Sequence, residues 1–211
     1  MTLAQLSEVA APVRKAAPAE RWKIGLVLGR ARHDDPLFRW AIPDDNRRGW
    51  LLPGLFALVA NAMRHHGEVH VTDGMTGAAL WAPPGAQPVL AEDGGEFDRR
   101  LAQLVGADGD RVFPLLDLLT ARDPAGWYLQ FLGTDPARPG RGVETTLLVP
   151  VLAGCDLTGQ PAELQATSQR DRWRYELHGF EVVHERTLPG SPPVWPMRRA
   201  AVPPDPSGRP R

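Results

Sequence analysis

The run "GWYLQFLGTDPARPGRGVETTLLVPVLAGCD" (126–156) sets the strongest limit on what this chain can fold into. Its first eight residues are apolar on both faces and rich in aromatics, the pattern of a central strand covered on both sides. A turn dense in Gly and Pro follows. From about Val143 to Asp156, Leu147, Leu148, Val151, Leu152 and Cys155 then recur at helical spacing. A strand that feeds a Gly-rich turn and then a helix leaves unsatisfied N–H groups and the positive end of a helix dipole facing outward. That is an anion site by construction. Yet Glu144 stands in the first turn, where a bound anion and an acidic side chain compete for one dipole.

The flanking sequence supplies the remaining elements. "VRKAA" (13–17) reads as a short first strand, and "PAERWKIGLVLGRARHDD" (18–35) as a helix bounded by Pro18 and Pro36. In 44–66, Leu51, Leu55, Leu58, Val59 and Met63 share one helical face, with Pro53 and Gly54 predicted to bend the helix or delay its start. Strands are expected at 68–73 and 78–84, and one or two helices between 91 and 124. Central strands follow at 126–133 and 162–168, a helix at 171–179 with Asp171 as its N-cap, and strands at 181–188 and 194–200. This alternation of strands and helices, taken alone, predicts a mostly parallel sheet. Residues 13–200 of the 211-residue chain are expected to form one domain, with 1–12 a flexible lead and 201–211 a disordered tail.

Composition excludes several classes of function. A formal net charge of −1 offers no electrostatic footprint for nucleic acid or a membrane surface. No apolar run is long enough to span a bilayer. The N-terminus lacks the order of a secretory signal, and the single cysteine, Cys155, fits a reducing cytoplasm and lies on an apolar helical face. His65, His66 and His70 cluster near Glu68 without metal-ligand spacing, so no metal site is expected.

The order strand, "LGTDPARPGRGV", helix, strand, "DRWRYELHGFEVV", "LPGSPPVWPMRR" resembles the GNAT superfamily of acetyl-CoA-dependent N-acetyltransferases, most of all its actinobacterial small-molecule members. The segment "RARHDDPLFRWAIPDD" matches the end of that family's first helix and the loop after it. The resemblance runs from about residue 13 to 200 and implies an α/β (α+β) fold. Its central mixed sheet would be mostly antiparallel, with helices on both faces and a splay between strands four and five.

It further implies a cytoplasmic enzyme, monomer or homodimer, that moves an acyl group from acetyl-CoA or another acyl-CoA to a small-molecule amine. Strand four at Leu132, Gly133 and Thr134 would hold the cofactor arm. Gly140, Arg141, Gly142, Val143, Glu144 and Thr145 would hold its pyrophosphate, and Asp171 stands where relatives carry Asn. Pro139 and Glu144 depart from the family's turn pattern. Tyr175 would be the general acid. Asp34 or Asp35 would be the base, and His33, Phe38, Trp40, Trp81 and Gln130 would border the acceptor. A second reading of the same departures is a GNAT-fold protein that no longer uses CoA and performs other chemistry or binding in a biosynthetic pathway.

Overall fold

The computed structural model describes residues 12–63, 67–86, 95–121, 125–138 and 142–202. The lead and tail expected from sequence fall almost wholly outside them, as do Pro139, Gly140 and Arg141 of the turn. Seven strands form one sheet: β1 (Val13–Lys15), β2 (Glu68–Thr72), β3 (Gly77–Ala82), β4 (Trp127–Thr134), β5 (Ala162–Ala166), β6 (Glu181–Val182) and β7 (Trp195–Arg199). Their spatial order is β1-β2-β3-β4-β5-β7-β6.

Only the β4–β5 pair is parallel; every other neighbouring pair is antiparallel. The mostly parallel sheet predicted from alternation is therefore corrected. The chain after β5 crosses by a short helix to β6, and β7 returns by a hairpin to enter between them, antiparallel to both.

Five helices cover one face: α1 (Arg21–Ala31), α2 (Pro36–Ala41), α3 (Asp45–Met63), α4 (Glu96–Val105) and α5 (Gly109–Thr120). They bury Leu28, Phe38, Leu51, Leu55, Phe56, Leu101 and Leu115 against Val71, Leu80, Tyr128 and Phe131 of the sheet. The other face carries α6 (Val143–Thr158) and α7 (Gln169–Glu176), whose Leu147, Leu148, Leu152 and Tyr175 pack on Trp81, Leu129, Leu132 and Leu164. Among the described residues, no helix is long and apolar enough to cross a membrane.

Three details position the cleft between the halves. The first is a β-bulge. Leu80 pairs with Phe131 and Trp81 with Leu129, which leaves Gln130 unopposed on β4. A bulge bends its strand, and here β4 leaves β5 at the same point. Their ladder ends at Leu129↔Leu164, while β4 continues to Thr134. The sheet therefore opens into a V.

The second is the end of α1. Asp35 precedes Pro36, is extended (φ −62°, ψ 131°), and accepts the N–H of Leu37 as the N-cap of α2. The helix expected over 18–35 thus ends at Ala31, and a short helix that the sequence did not suggest starts beyond it at Pro36. The third is α3, which runs unbroken through Pro53. A Cβ on Gly29 would lie 2.8 Å from the nitrogen of Pro53. Helix α1 thus rests directly on the proline, and packing outweighs the one hydrogen bond it lacks.

Candidate functional site

A cleft of about 830 Å³ runs from the start of α6, along the open side of β4, to the end of α1. At one end of it lies the first turn of α6. Gly142 sits there at φ 74° and provides no side-chain cap, so the N–H groups of Val143, Glu144 and Thr145 are left to the cleft.

Glu144 does not lie across those donors alone. Its Oε1 accepts Nη1 of Arg174 from α7 at 2.7 Å, and that guanidinium also stands 3.9 Å from Asp171. The acidic residue is thereby matched by a cation at the same mouth. Thr145 Oγ1 is 3.3 Å from Nε2 of His178. Burial, then Arg199, holds His178 below the usual imidazole range, so it is neutral at pH 7.

Deeper in, the V is spanned by Arg32. Its Nη2 donates to the carbonyl of Leu132 on β4 at 2.7 Å. Its Nη1 donates to Asp35 at 3.0 Å, to Asp171 at 3.0 Å and to Thr167, just beyond β5, at 3.2 Å. The Thr167 hydroxyl donates in turn to Asp35. The Arg32 side chain is 12% exposed, and burial by itself would lower its pKa. Asp171 and Asp35 more than offset that and hold the guanidinium above its ordinary value.

Asp35 is itself pushed up by burial, against the pull of Arg32, Thr167 and the Leu37 N–H. Tyr175 is buried and lines the same cleft. Burial raises its phenol, Arg32 opposes the rise, and Asp171 and Glu144 add to it.

The cleft brings together Leu132, Gly133, Thr134, Gly142, Val143, Glu144, Thr145, Asp171 and Tyr175, with Asp34 and Asp35 at its far side. Asp34 is 88% exposed there, whereas both oxygens of Asp35 are engaged. Asp171 is not the N-cap expected from sequence. Ser168 caps α7 by accepting the Asp171 N–H at 3.1 Å, which frees the Asp171 carboxylate for Arg32.

The residues expected to border the acceptor lie outside the cleft lining. Phe38 is edge-on to Phe56 in the core, with ring centres 5.5 Å apart. Trp81 is fully buried on the α6 side. Trp40 carries Arg111 over its ring at 5.8 Å. The bulge turns Gln130 to the Leu119 carbonyl, and His33 packs by Asp45, its Nε2 3.3 Å from the Asp45 carbonyl oxygen. Among the described residues no group of acids, histidines and cysteine could hold a metal.

Sequence reasoning missed Arg32, Thr167, Arg174 and His178. The signal for Arg32 lies in "RARHDDP", a cation at a helix end beside two acids that are able to pair with it. Arg174 lies thirty positions from Glu144, so only the return of α7 to the mouth of α6 joins them.

No protein-family model matches the chain. It is 27% identical over 182 residues to an uncharacterized N-acetyltransferase of Schizosaccharomyces pombe, covering 79% of this chain and 72% of that protein. Among solved structures, the Corynebacterium glutamicum "histone acetyltransferase HPA2 and related acetyltransferase" is similar, with TM-score 0.68 and 26% identity. The likeness covers 92% of this chain and 98% of that one. The arylalkylamine N-acetyltransferase 2 of Aedes aegypti, at 13% identity and TM-score 0.54, covers 89% of this chain and 97% of its own. The chain has the GNAT acetyltransferase fold: seven strands, mostly antiparallel, helices on both faces and a splay after Leu129 and Leu164.

Proposed function

We propose that this chain moves an acetyl or other small acyl group from acyl-CoA to an amine of a small molecule. One observation carries the reading: the open side of β4 leads from an uncapped helix start to a buried phenol, all within one cleft. Acyl transfer from a thioester needs those three things, an anion grip, a strand edge to align the arm and a proton donor for the leaving sulfur. The similarity to proteins described as N-acetyltransferases supports it. The amine is favoured by the arylalkylamine acceptor named for the mosquito neighbour, whose likeness to this chain is one of fold.

The residues fit such a donor substrate. Val143, Glu144 and Thr145 would face its diphosphate with backbone N–H groups, and Arg174 would offset the Glu144 charge. Leu132 directs its carbonyl into the V, and in a strand the N–H of the same residue points the same way. In the reaction the amine nitrogen bonds to the acyl carbon and the carbon–sulfur bond breaks. The sulfur takes a proton from Tyr175, and the proton the amine releases returns to the phenol through solvent. A phenol held above its ordinary value stays protonated at neutral pH, the state a donor requires. Asp34, the exposed carboxylate of the lining, is the group free to accept the amine's proton.

The experiment is calorimetric titration with acetyl-CoA, followed by turnover with a panel of small primary amines. Binding at or below millimolar concentration is expected; no heat there overturns the reading. Tyr175→Phe is expected to lower kcat about 100-fold, the usual scale of general acid catalysis, with CoA affinity retained. Full turnover would remove Tyr175 from the mechanism. A second reading, a protein of this fold that binds no CoA, is favoured by the Arg32 contact on the Leu132 carbonyl, which occupies part of the open strand edge. The same titration separates the two.

A further inference from the structure

We propose that the last turn of α5 is the wedge that holds the cleft open, and that Gln130 and Gln165 are the positioning residues that fasten one parted strand each to it. The inference rests on the acyl-transfer reading only for its effect on acetyl-CoA. The wedge itself rests on hydrogen bonds within the fold.

Strands β4 and β5 pair as far as Leu129↔Leu164, and the next residues along them are Gln130 and Gln165. Both strands continue extended, β4 to Thr134 and β5 to Ala166. Strands that part in this way leave backbone N–H and C=O groups facing each other unpaired, which favours closing the ladder further. The side chains at the branch point supply the restraint.

A helix ends with four carbonyls that have no intrahelical partner. Those of Leu118 and Leu119 are two of them in α5, and Ala121 follows as its cap. Side chains from both strands donate to these oxygens. Gln165 of β5 reaches the Leu118 carbonyl at 2.6 Å and the Ala121 carbonyl at 3.0 Å, both through Nε2. From β4, Gln130 Nε2 donates to the Leu119 carbonyl at 3.2 Å, and the Tyr128 hydroxyl donates to the same oxygen at 2.5 Å. Gln165 lies between Leu164 and Ala166, which pack toward α6, so alternation sends it to the opposite face, where α5 lies.

The parted strands are thus each tied to one helix end instead of to each other. Closing the ladder past Leu129 would bring them to about 4.8 Å and pull an amide off the carbonyl it serves. Arg32 touches both strands again nearer the opening, at Leu132 and Thr167, so the V is held at two levels. Donation is what fixes Gln165. Its N–H groups go to carbonyls, so Oε1 is turned away from the helix, and among the described residues that oxygen is buried without a donor. A side chain that only filled space there would carry no such cost.

The test compares Gln165→Met, which keeps the length and loses the donors, with Gln130→Leu and the double variant. Calorimetry with acetyl-CoA is expected to show about tenfold weaker binding in each single variant, the scale of a lost hydrogen bond. The double variant is expected to be little worse than either, because a wedge released from one strand no longer holds the other. Gln165→Lys, whose ammonium can serve both carbonyls, is expected to bind as the parent does. A second readout needs no cofactor. Leu132 turns its carbonyl, and with it its N–H, into the V, so hydrogen exchange at that amide reports closure of the strands. Exchange is expected to slow in Gln165→Met and to match the parent in Gln165→Lys, with the β2–β3 ladder unchanged.

Losses that multiply in the double variant overturn the wedge, since each glutamine then anchors only its own strand. Parental affinity in both single variants does the same, as does a parental exchange rate at Leu132 in Gln165→Met. A lysine variant that behaves like the methionine one also overturns it. If the unmodified protein gives no heat with acetyl-CoA, the transfer reading fails, and the exchange rate alone decides the wedge. If Gln165→Met does not fold, Gln130→Leu carries both readouts, because Tyr128 still serves the Leu119 carbonyl and no acceptor is left bare.

Discussion

Glu144 and Arg174 show how one side chain rewrites the meaning of another. A carboxylate in the first turn of α6 repels a diphosphate when alone; with Nη1 of Arg174 at 2.7 Å the pair is close to neutral and still leaves the backbone donors facing the cleft. Both groups are partly open to solvent, so the energies involved are modest, on the order of 1 kcal/mol. Arg174→Ala alone is expected to weaken acetyl-CoA binding several-fold, by leaving Glu144 unpaired. Glu144→Ala in that background is expected to restore it, and calorimetry of the four proteins checks the cycle. Two independent losses would show that the carboxylate does not face the phosphates. From sequence, Glu144 was legible as a problem and Arg174 was invisible as its answer, because a pair thirty residues apart leaves no local pattern. Tyr175 was legible through the segment around it, whereas the cap of α7 was assigned to Asp171 when Ser168 makes it.

At the scale of elements, the functional geometry comes from one strand and the helix end laid on it. Strand β4 was legible because both its faces are apolar, but its bulge was not. Gln130 gives no sign that Trp81 will pair with Leu129 while Leu80 pairs with Phe131. The break between α1 and α2 was legible at Pro36; the restart as a helix was not, since six residues carry too little periodicity. Gly133 joins the two elements. A Cβ there would lie 2.6 Å from Ala31 Cβ and 3.1 Å from Leu28, so any side chain pushes the end of α1 off the strand. Gly133→Val is expected to cost about 1–3 kcal/mol, as overpacking does, and to separate Arg32 from the Leu132 carbonyl. Chemical denaturation gives the first quantity and acetyl-CoA titration the second. A variant of parental stability and affinity would mean that α1 shifts without consequence.

For the whole molecule, the second half of the sheet is tied to α6 by a fork. Arg199 of β7 donates through Nη1 and Nη2 to Asp156 at 2.7 and 2.8 Å, Asp156 also accepts the Val202 N–H, and Arg199 Nε reaches the His178 carbonyl. Arg199 holds the Asp156 carboxyl below its ordinary value of 3.8. The folded form therefore binds that proton less readily than the unfolded chain. The stability this contributes is full above 3.8 and is lost as pH falls toward the depressed folded value. Asp156→Asn is expected to lower stability by about 1 kcal/mol at neutral pH and to narrow the gap to the parent at the acid end. Thermal melts from pH 7 downward check the sign; a constant offset would refute it. The same half holds Cys155, whose thiol burial pushes up to about 11, which makes it inert filling as its helical position indicated.

A sheet with an open seam carries a hazard as well as a use. Two strands that part while still extended offer unsaturated backbone to any passing segment, including the same segment of another copy. Arg32 caps one carbonyl of that seam and the end of α1 roofs it, so a sticky edge becomes a private groove. Less of that edge is thereby left open for a second strand to pair with.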